Sequence, residues 1–238
     1  MERDYLIAGL RVRMDTFGRT EMQAAPYEIE KAGEPDIYID PAMTAIHKKK
    51  LHMDDDSNEY MATGAVFYRQ IVNFNGMLLH SSAIVMDGYA YLFSAPCGTG
   101  KSTHTTMWRR AFGEDKVLIL NDDKPALRLE NGRWYAYGTP WSGKTPQNLN
   151  MRVPLGGICM LARGPVNEIA PYKGVRVALE ILEQTKRPGD AGTRGVLLEM
   201  IDQLVTNVPT WKLYCTPTEE AAIVSHKAMA EEAKKRFG

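Results

Sequence analysis

The chain has 238 residues, with 29 basic and 29 acidic side chains and so no formal net charge. That balance argues against nucleic acid or an anionic membrane as the main partner, and no apolar run approaches the length of a membrane span. Apolar residues at 44% and charged residues at 24% describe an ordinary soluble globular chain, long enough for one large domain or two small ones.

Residues 5–14 read as a strand, with Leu10, Val12 and Met14 alternating at period two. Short strand candidates follow at 27–30 and 36–39, set off by Gly and Pro. Residues 47–56 carry Lys48-Lys49-Lys50 and then Asp54-Asp55-Asp56, which reads as a solvated loop. Residues 59–73 fit a helix that Gly64 weakens. Residues 78–86 read as a strand, Asp87-Gly88 as a two-residue turn and 89–93 as the return strand. Next comes Ser94-Ala95-Pro96-Cys97-Gly98-Thr99-Gly100-Lys101-Ser102-Thr103, a glycine-bearing loop ahead of a helical pattern at 102–111. A short strand at 117–120 ends in Asn121-Asp122-Asp123. A hairpin over 126–137 turns at Asn131-Gly132. Residues 139–152 are irregular, and 157–162 and 167–171 are strand candidates. Helices at 175–186, 194–206 and 218–237, with a strand at 211–215, close the chain. No repeat and no linker divides it. The expectation is one domain over 1–238, with a β-rich N-terminal portion to residue 75 and a nucleotide-binding core over 76–238.

The loop is the most informative stretch. Read from Ala95 it is A-x-x-x-x-G-K-S, a phosphate-binding loop with Ala in the leading glycine's place. Gly98 and Gly100 let main-chain N–H groups turn inward around phosphate oxygens. Lys101 supplies a point charge to the β- and γ-phosphates, and the Ser102 hydroxyl can ligate Mg²⁺. The following helix directs its positive end at the same place. Pro96, Cys97, Gly98, Thr99, Gly100, Lys101, Ser102 and Thr103 are therefore the candidate nucleotide-binding residues. Because an antiparallel partner precedes the loop strand, the sheet is expected to be mixed.

Phosphoryl transfer also needs carboxylates, one to hold metal and one to take the acceptor's proton. Asp122 and Asp123 stand at a strand end, where adjacent acids can face different sides; a turn or helix cap is the plainer alternative. The candidate metal ligands are Ser102, Asp122 and Asp123. The candidate catalytic residues are Asp122, His80, Lys101 and Lys144, with Arg152 a weaker cation of Lys144's kind. His104, on the first turn of the helix, is placed either toward the phosphates or toward water. His47, His52 and His226 carry no signal. Trp108, Trp134, Tyr135 and Trp141 read as core. The cysteines Cys97, Cys159 and Cys215 form neither a disulfide framework nor a zinc site; Cys97 is a passenger in the loop that could make it oxidation-sensitive. Met1-Glu2-Arg3-Asp4 opens no signal segment. The simplest setting is cytoplasmic.

Together, His80-Ser81-Ser82-Ala83, the Asp87-Gly88 turn, the loop from Ala95 to Ser102 and Asn121-Asp122-Asp123 resemble the catalytic domain of HPr serine kinase/phosphorylase. That group has the phosphoenolpyruvate carboxykinase-like P-loop fold, and the likeness spans roughly residues 76–162. The runs 98–105 and 138–144 are similar to a branch of HPr-kinase-related proteins, some found beside peptide-modification enzymes. The resemblance implies a three-layer α/β fold with a mixed, partly antiparallel central sheet, ATP and Mg²⁺ as cofactors, and a homo-oligomer as an option. It also implies Asp122 as the base, Asp123 as the metal's helper and His80 near the transferred phosphate. No counterpart of the Gly- and Arg-rich segment tied to HPr docking follows the aspartates, so HPr itself is not implied. The expected function is a kinase acting on a hydroxyl of a small molecule, a free amino acid or a peptide serine. An HPr-type protein serine kinase, a carboxykinase and a non-catalytic nucleotide sensor are the alternatives.

Overall fold

The computed structural model describes residues 2–42 and 54–237. Most of the polar stretch 47–56, with His47 and His52, lies outside the described residues. Its described end is not loop: the Asp54 side chain accepts a hydrogen bond from Ser57 N at 2.8 Å and starts a helix. An aspartate cap with two further acids in the first turn satisfies free N–H groups and matches the helix's positive end.

The single strand expected at 5–14 is a hairpin. Strands β1 (Arg3–Ile7) and β2 (Leu10–Met14) pair antiparallel. They are joined at Ala8 and Gly9, whose φ angles of 52° and 74° are those of a turn matching strand twist. Helix α1 (Gly18–Ala24) and strands β3 (Glu28–Ile29) and β4 (Ile37–Ile39) complete a sheet ordered β3-β1-β2-β4. Helix α2 (Asp55–Gln70) lies against it. One apolar cluster joins Tyr5, Val12, Met14 and Ile37 of this sheet to Tyr60, Phe67 and Tyr68 of α2 and to Trp141. Gly64 is the point of approach: a Cβ there would lie 2.9 Å from Trp141 Cδ1.

The second sheet takes β5 (Gly76–Leu78), β6 (Ser81–Met86), β7 (Tyr89–Ser94), β8 (Leu118–Asn121), β9 (Ala126–Glu130), β10 (Arg133–Tyr137) and β11 (Arg152–Arg163) in the order β5-β9-β10-β11-β7-β6-β8. Strand β13 (Thr210–Cys215) also pairs with β11, and β12 (Glu168–Pro171) pairs with β13. The stretch 78–86 is thus not one strand. It breaks at Leu79-His80, leaving β5 to pair with β9 and β6 with β7 and β8. The Asp87-Gly88 turn joins β6 to β7 as expected, with φ of 51° and 81°. Strands β7, β11 and β13 run parallel and the other pairings in this sheet are antiparallel, so the sheet is mixed.

Helices cover both faces. Helices α4 (Val175–Glu183) and α5 (Ala191–Asn207) bury Val177, Ile181, Leu197 and Met200 with Leu92, Ile158 and Met160. On the other face α3 (Lys101–Phe112) and α6 (Glu219–Phe237) bury Trp108, Ala222 and Met229 with Phe93, Cys159 and Leu161. The alternation Ile158, Cys159, Met160, Leu161 sends successive β11 side chains to opposite layers. Each such large side chain contributes about 1.5–3 kcal/mol when fully buried. The layers hold the carboxyl end of β7 rigid, and the glycine-bearing loop leaves from there.

Candidate active site

The loop runs from Ser94 at the end of β7 to Lys101 at the start of α3. Gly98 and Gly100 sit at φ of 78° and 119°, and nothing lies within 4 Å of where a Cβ would stand on either. The left-handed backbone therefore opens onto free space. Ser102 and Thr103 are exposed on the first turn, whereas Lys101 is buried and donates from Nζ to Ala95 O at 2.9 Å. Burial lowers the Lys101 pKa, against which the nearby Asp123, Cys97 and Asp122 act. A cation short of solvent and without a carboxylate on it is suited to meeting an incoming anion.

Across from the loop, Asp122 and Asp123 follow β8. Ser82 Oγ donates to Asp122 Oδ1 at 2.6 Å and meets Thr105 Oγ1 at 2.9 Å, which ties the carboxylate to β6 and α3. Burial pushes the Asp122 carboxyl up, opposed by hydrogen bonds from Ser82 and Ser102. Asp123 behaves oppositely. Burial alone would raise it, but His80 and Lys124 outweigh that and hold it at about 2. His80 Nε2 is 3.2 Å from Asp123 Oδ1, and Lys124 Nζ is bonded to Asp123 Oδ2. His80 Nδ1 meets Gln184 Oε1 at 3.0 Å. Two adjacent acids thus shift in opposite directions, Asp122 up and Asp123 down.

The turn bearing them is fixed from the far side. Asn121 Oδ1 accepts from the N–H groups of Asp123 and Lys124 at 2.9 and 2.7 Å, and its amide donates to Thr139 O at 2.9 Å. The Lys124 carbonyl accepts from Thr139 Oγ1 at 2.7 Å and from the Tyr68 hydroxyl. Tyr60 OH accepts from Gly143 N at 2.6 Å, and a Cβ on Gly143 would lie 3.1 Å from Asp123 Cβ.

The structure brings together Lys101, Ser102, Asp122, Asp123 and His80. Lys144 follows Gly143 past Asp123, with its own side chain exposed. Lys124, unforeseen, supplies the cation on Asp123; its place directly after the two aspartates was its only signal. Ser82, Gln184 and Arg163 were also missed, the last donating from Nη2 to Gly98 O at 2.6 Å. His80 sits in the break between β5 and β6 rather than within a strand. His104 turns its ring nitrogen away from water, toward Ser225 and Trp108. It is 4% exposed, bonds Ser225 Oγ at 3.1 Å, and burial brings its pKa down to about 3. Arg152 lies at the opposite end of β11 from the loop, stacked 3.5 Å over the Tyr135 ring and bonded to Glu130. Trp108, Trp134 and Trp141 are core, as expected.

Ser102, Asp122 and Asp123 offer hard oxygen donors of the kind Mg²⁺ takes together with phosphate oxygens. Among the described residues, no three His, Cys, Asp or Glu side chains gather into a self-sufficient metal cage, and no helix is long and apolar enough to cross a membrane.

Fold and site define a mixed α/β chain whose glycine-bearing loop, between a parallel strand and a helix, faces a pair of carboxylates. A family model described as SynChlorMet cassette protein ScmC matches residues 52–219, and the chain belongs to that family. The match spans the loop, both aspartates, His80 and Gln184. No curated protein matches. Among solved structures, the HPr(Ser) kinase/phosphatase from Coxiella burnetii is similar at 11% identity, over 68% of this chain and 99% of that one, with a TM-score of 0.39.

Proposed function

We propose that this chain is a Mg²⁺- and ATP-dependent phosphotransferase that moves a γ-phosphoryl group to a hydroxyl. One observation carries the reading: the loop's Ser102 hydrogen-bonds Asp122, and Lys101 lies near both Asp122 and Asp123, whose carboxyls are shifted in opposite directions. In this reading Lys101 and the inward-facing loop amides bind the β- and γ-phosphates. Ser102, with Asp122 and Asp123, would hold Mg²⁺, which when bound neutralises charge on the phosphate oxygens. Asp122, whose carboxyl burial pushes up, takes the proton from the acceptor hydroxyl. Lys124, held on Asp123, places positive charge beside the moving phosphoryl group, His80 offers a hydrogen bond there, and Lys144 can join them from the 139–151 loop.

The test is transfer from labelled ATP to a panel of hydroxyl acceptors in the presence of Mg²⁺, beside Asp122→Asn. The variant should still bind ATP in the absence of Mg²⁺ and lose about 10²–10⁴-fold in turnover, the span of a positioned base. Equal product from both proteins would remove Asp122 as the base. Tight ATP binding with no turnover on any acceptor would favour a nucleotide sensor.

A further inference from the structure

The phosphate loop is flanked by two cavities. One of about 650 Å³ lies beside α4 and reaches Pro96, Cys97, Glu180, Glu183, Gln184 and Lys212. The other, about 470 Å³, lies beside α3 and reaches Gly100, Thr103, Gly164, Cys215, Thr216 and Pro217. Both touch Gly98, Thr99 and the end of β11 at Leu161, Ala162 and Arg163, so the loop tip and Arg163 form the ridge between them.

Their chemistry differs in three ways. The smaller cavity lies at the carboxyl ends of the parallel strands β11 and β13, which pair Arg163 with Cys215, and at the N-terminus of α3. Ligands of open α/β sheets bind at such strand ends, and helix N-termini favour phosphate. No carboxylate stands among the described residues that line it. The larger cavity carries two: Glu180, held by Lys212 Nζ at 2.8 Å, and the exposed Glu183. With Glu180 paired to Lys212, it is the Glu183 carboxylate that disfavours a triphosphate there. The larger cavity also leads to the point of transfer, because Gln184 on its wall bonds His80, and His80 bonds Asp123.

We propose that the donor's adenine and ribose occupy the smaller cavity and that the acceptor enters through the larger one, with Arg163 between them. This rests on the phosphotransferase reading above and adds where each substrate sits. Adenine is favoured over guanine because guanine's N1–H and amino group both donate and are best met by a carboxylate, which this cavity lacks. Arg163, already fixed on Gly98 O, presents its remaining N–H groups to the donor's phosphates.

The experiment is photo-crosslinking of the full chain with azidoadenosine triphosphate and peptide mapping, beside binding of MgADP and MgGDP to the native chain, Arg163→Ala and Glu183→Gln. The label is expected on Gly164 or on residues 215–217, which line the smaller cavity and not the larger. MgADP should bind more tightly than MgGDP. Arg163→Ala should weaken MgADP by about 10–100-fold, the worth of a charged hydrogen bond, and Glu183→Gln should leave it within about two-fold. Label on 180–184 or on Lys212, weakening by the Glu183 change alone, or equal affinity for MgGDP would overturn the assignment while leaving a nucleotide-binding protein. If the native chain bound neither nucleotide, the phosphotransferase reading would fall with it.

Discussion

Glu59 offers the sharpest check on how the N-terminal sheet is attached to the rest of the molecule. It sits in α2, is 6% exposed and accepts a hydrogen bond from Thr20 of α1. Burial raises its pKa from 4.5 to about 7, with Asp56 adding to the rise and Thr20, Phe17 N–H and Arg19 opposing it. The folded state therefore binds this proton more tightly than the unfolded chain. The resulting stability is complete below pH 4.5, and it is lost as pH climbs through about 7. The shift corresponds to about 3 kcal/mol across that window, or roughly 6–12 °C in Tm for a chain of this length. Glu59→Gln keeps the shape and cannot titrate. Urea unfolding followed by tryptophan fluorescence at both ends of the window should show the native chain losing about 3 kcal/mol more than the variant. Parallel pH dependence in the two proteins would refute the reasoning, because other titrating groups cancel in the comparison.

Three further outcomes are expected. Because burial raises Asp122, the acid limb of the pH–rate profile should lie above the ordinary aspartate value of 3.8 and vanish in Asp122→Asn; a limb at the ordinary value would count against Asp122 as the group that must lose its proton. Lys124→Met should let the Asp123 carboxyl rise from about 2, measured by carbon NMR titration, and an unmoved value would show that His80 alone holds it. Gly64→Ala should destabilise by about 1–3 kcal/mol through overpacking onto Trp141, although alanine is the better helix former by about 1 kcal/mol; a gain in urea stability would contradict the close approach.

What the sequence disclosed, and what it hid, follows from the range of the interactions. The β6–β7 and β9–β10 hairpins were legible because Asp87-Gly88 and Asn131-Gly132 carry their turn chemistry locally, with positive φ at both residues of each pair. The β1–β2 hairpin was not, because Ala8 takes a positive φ that its residue type does not announce. Gly64 looked like a flaw in a helix and is instead where Trp141 fits; only the partner explains it. The loop and its two aspartates were visible as motifs. Their partners were not, since Gln184 reaches His80 across 104 positions and Ser82 reaches Asp122 across 40. His104 escaped for the same reason: its helical position suggested phosphates or water, but Ser225 of α6 and the Trp108 ring draw it inward.

The Tyr68 hydroxyl on the Lys124 carbonyl has a consequence for how the two-aspartate turn can be inherited. The turn carrying both acids is held in part by a helix that precedes the loop in the chain. A recombination event that carried off only the segment from β5 onward would transplant the recognisable signature and leave its alignment behind. The helix that supplies Tyr68 lies within the residues 52–219 matched by the family model, so motif and support fall inside one matched unit.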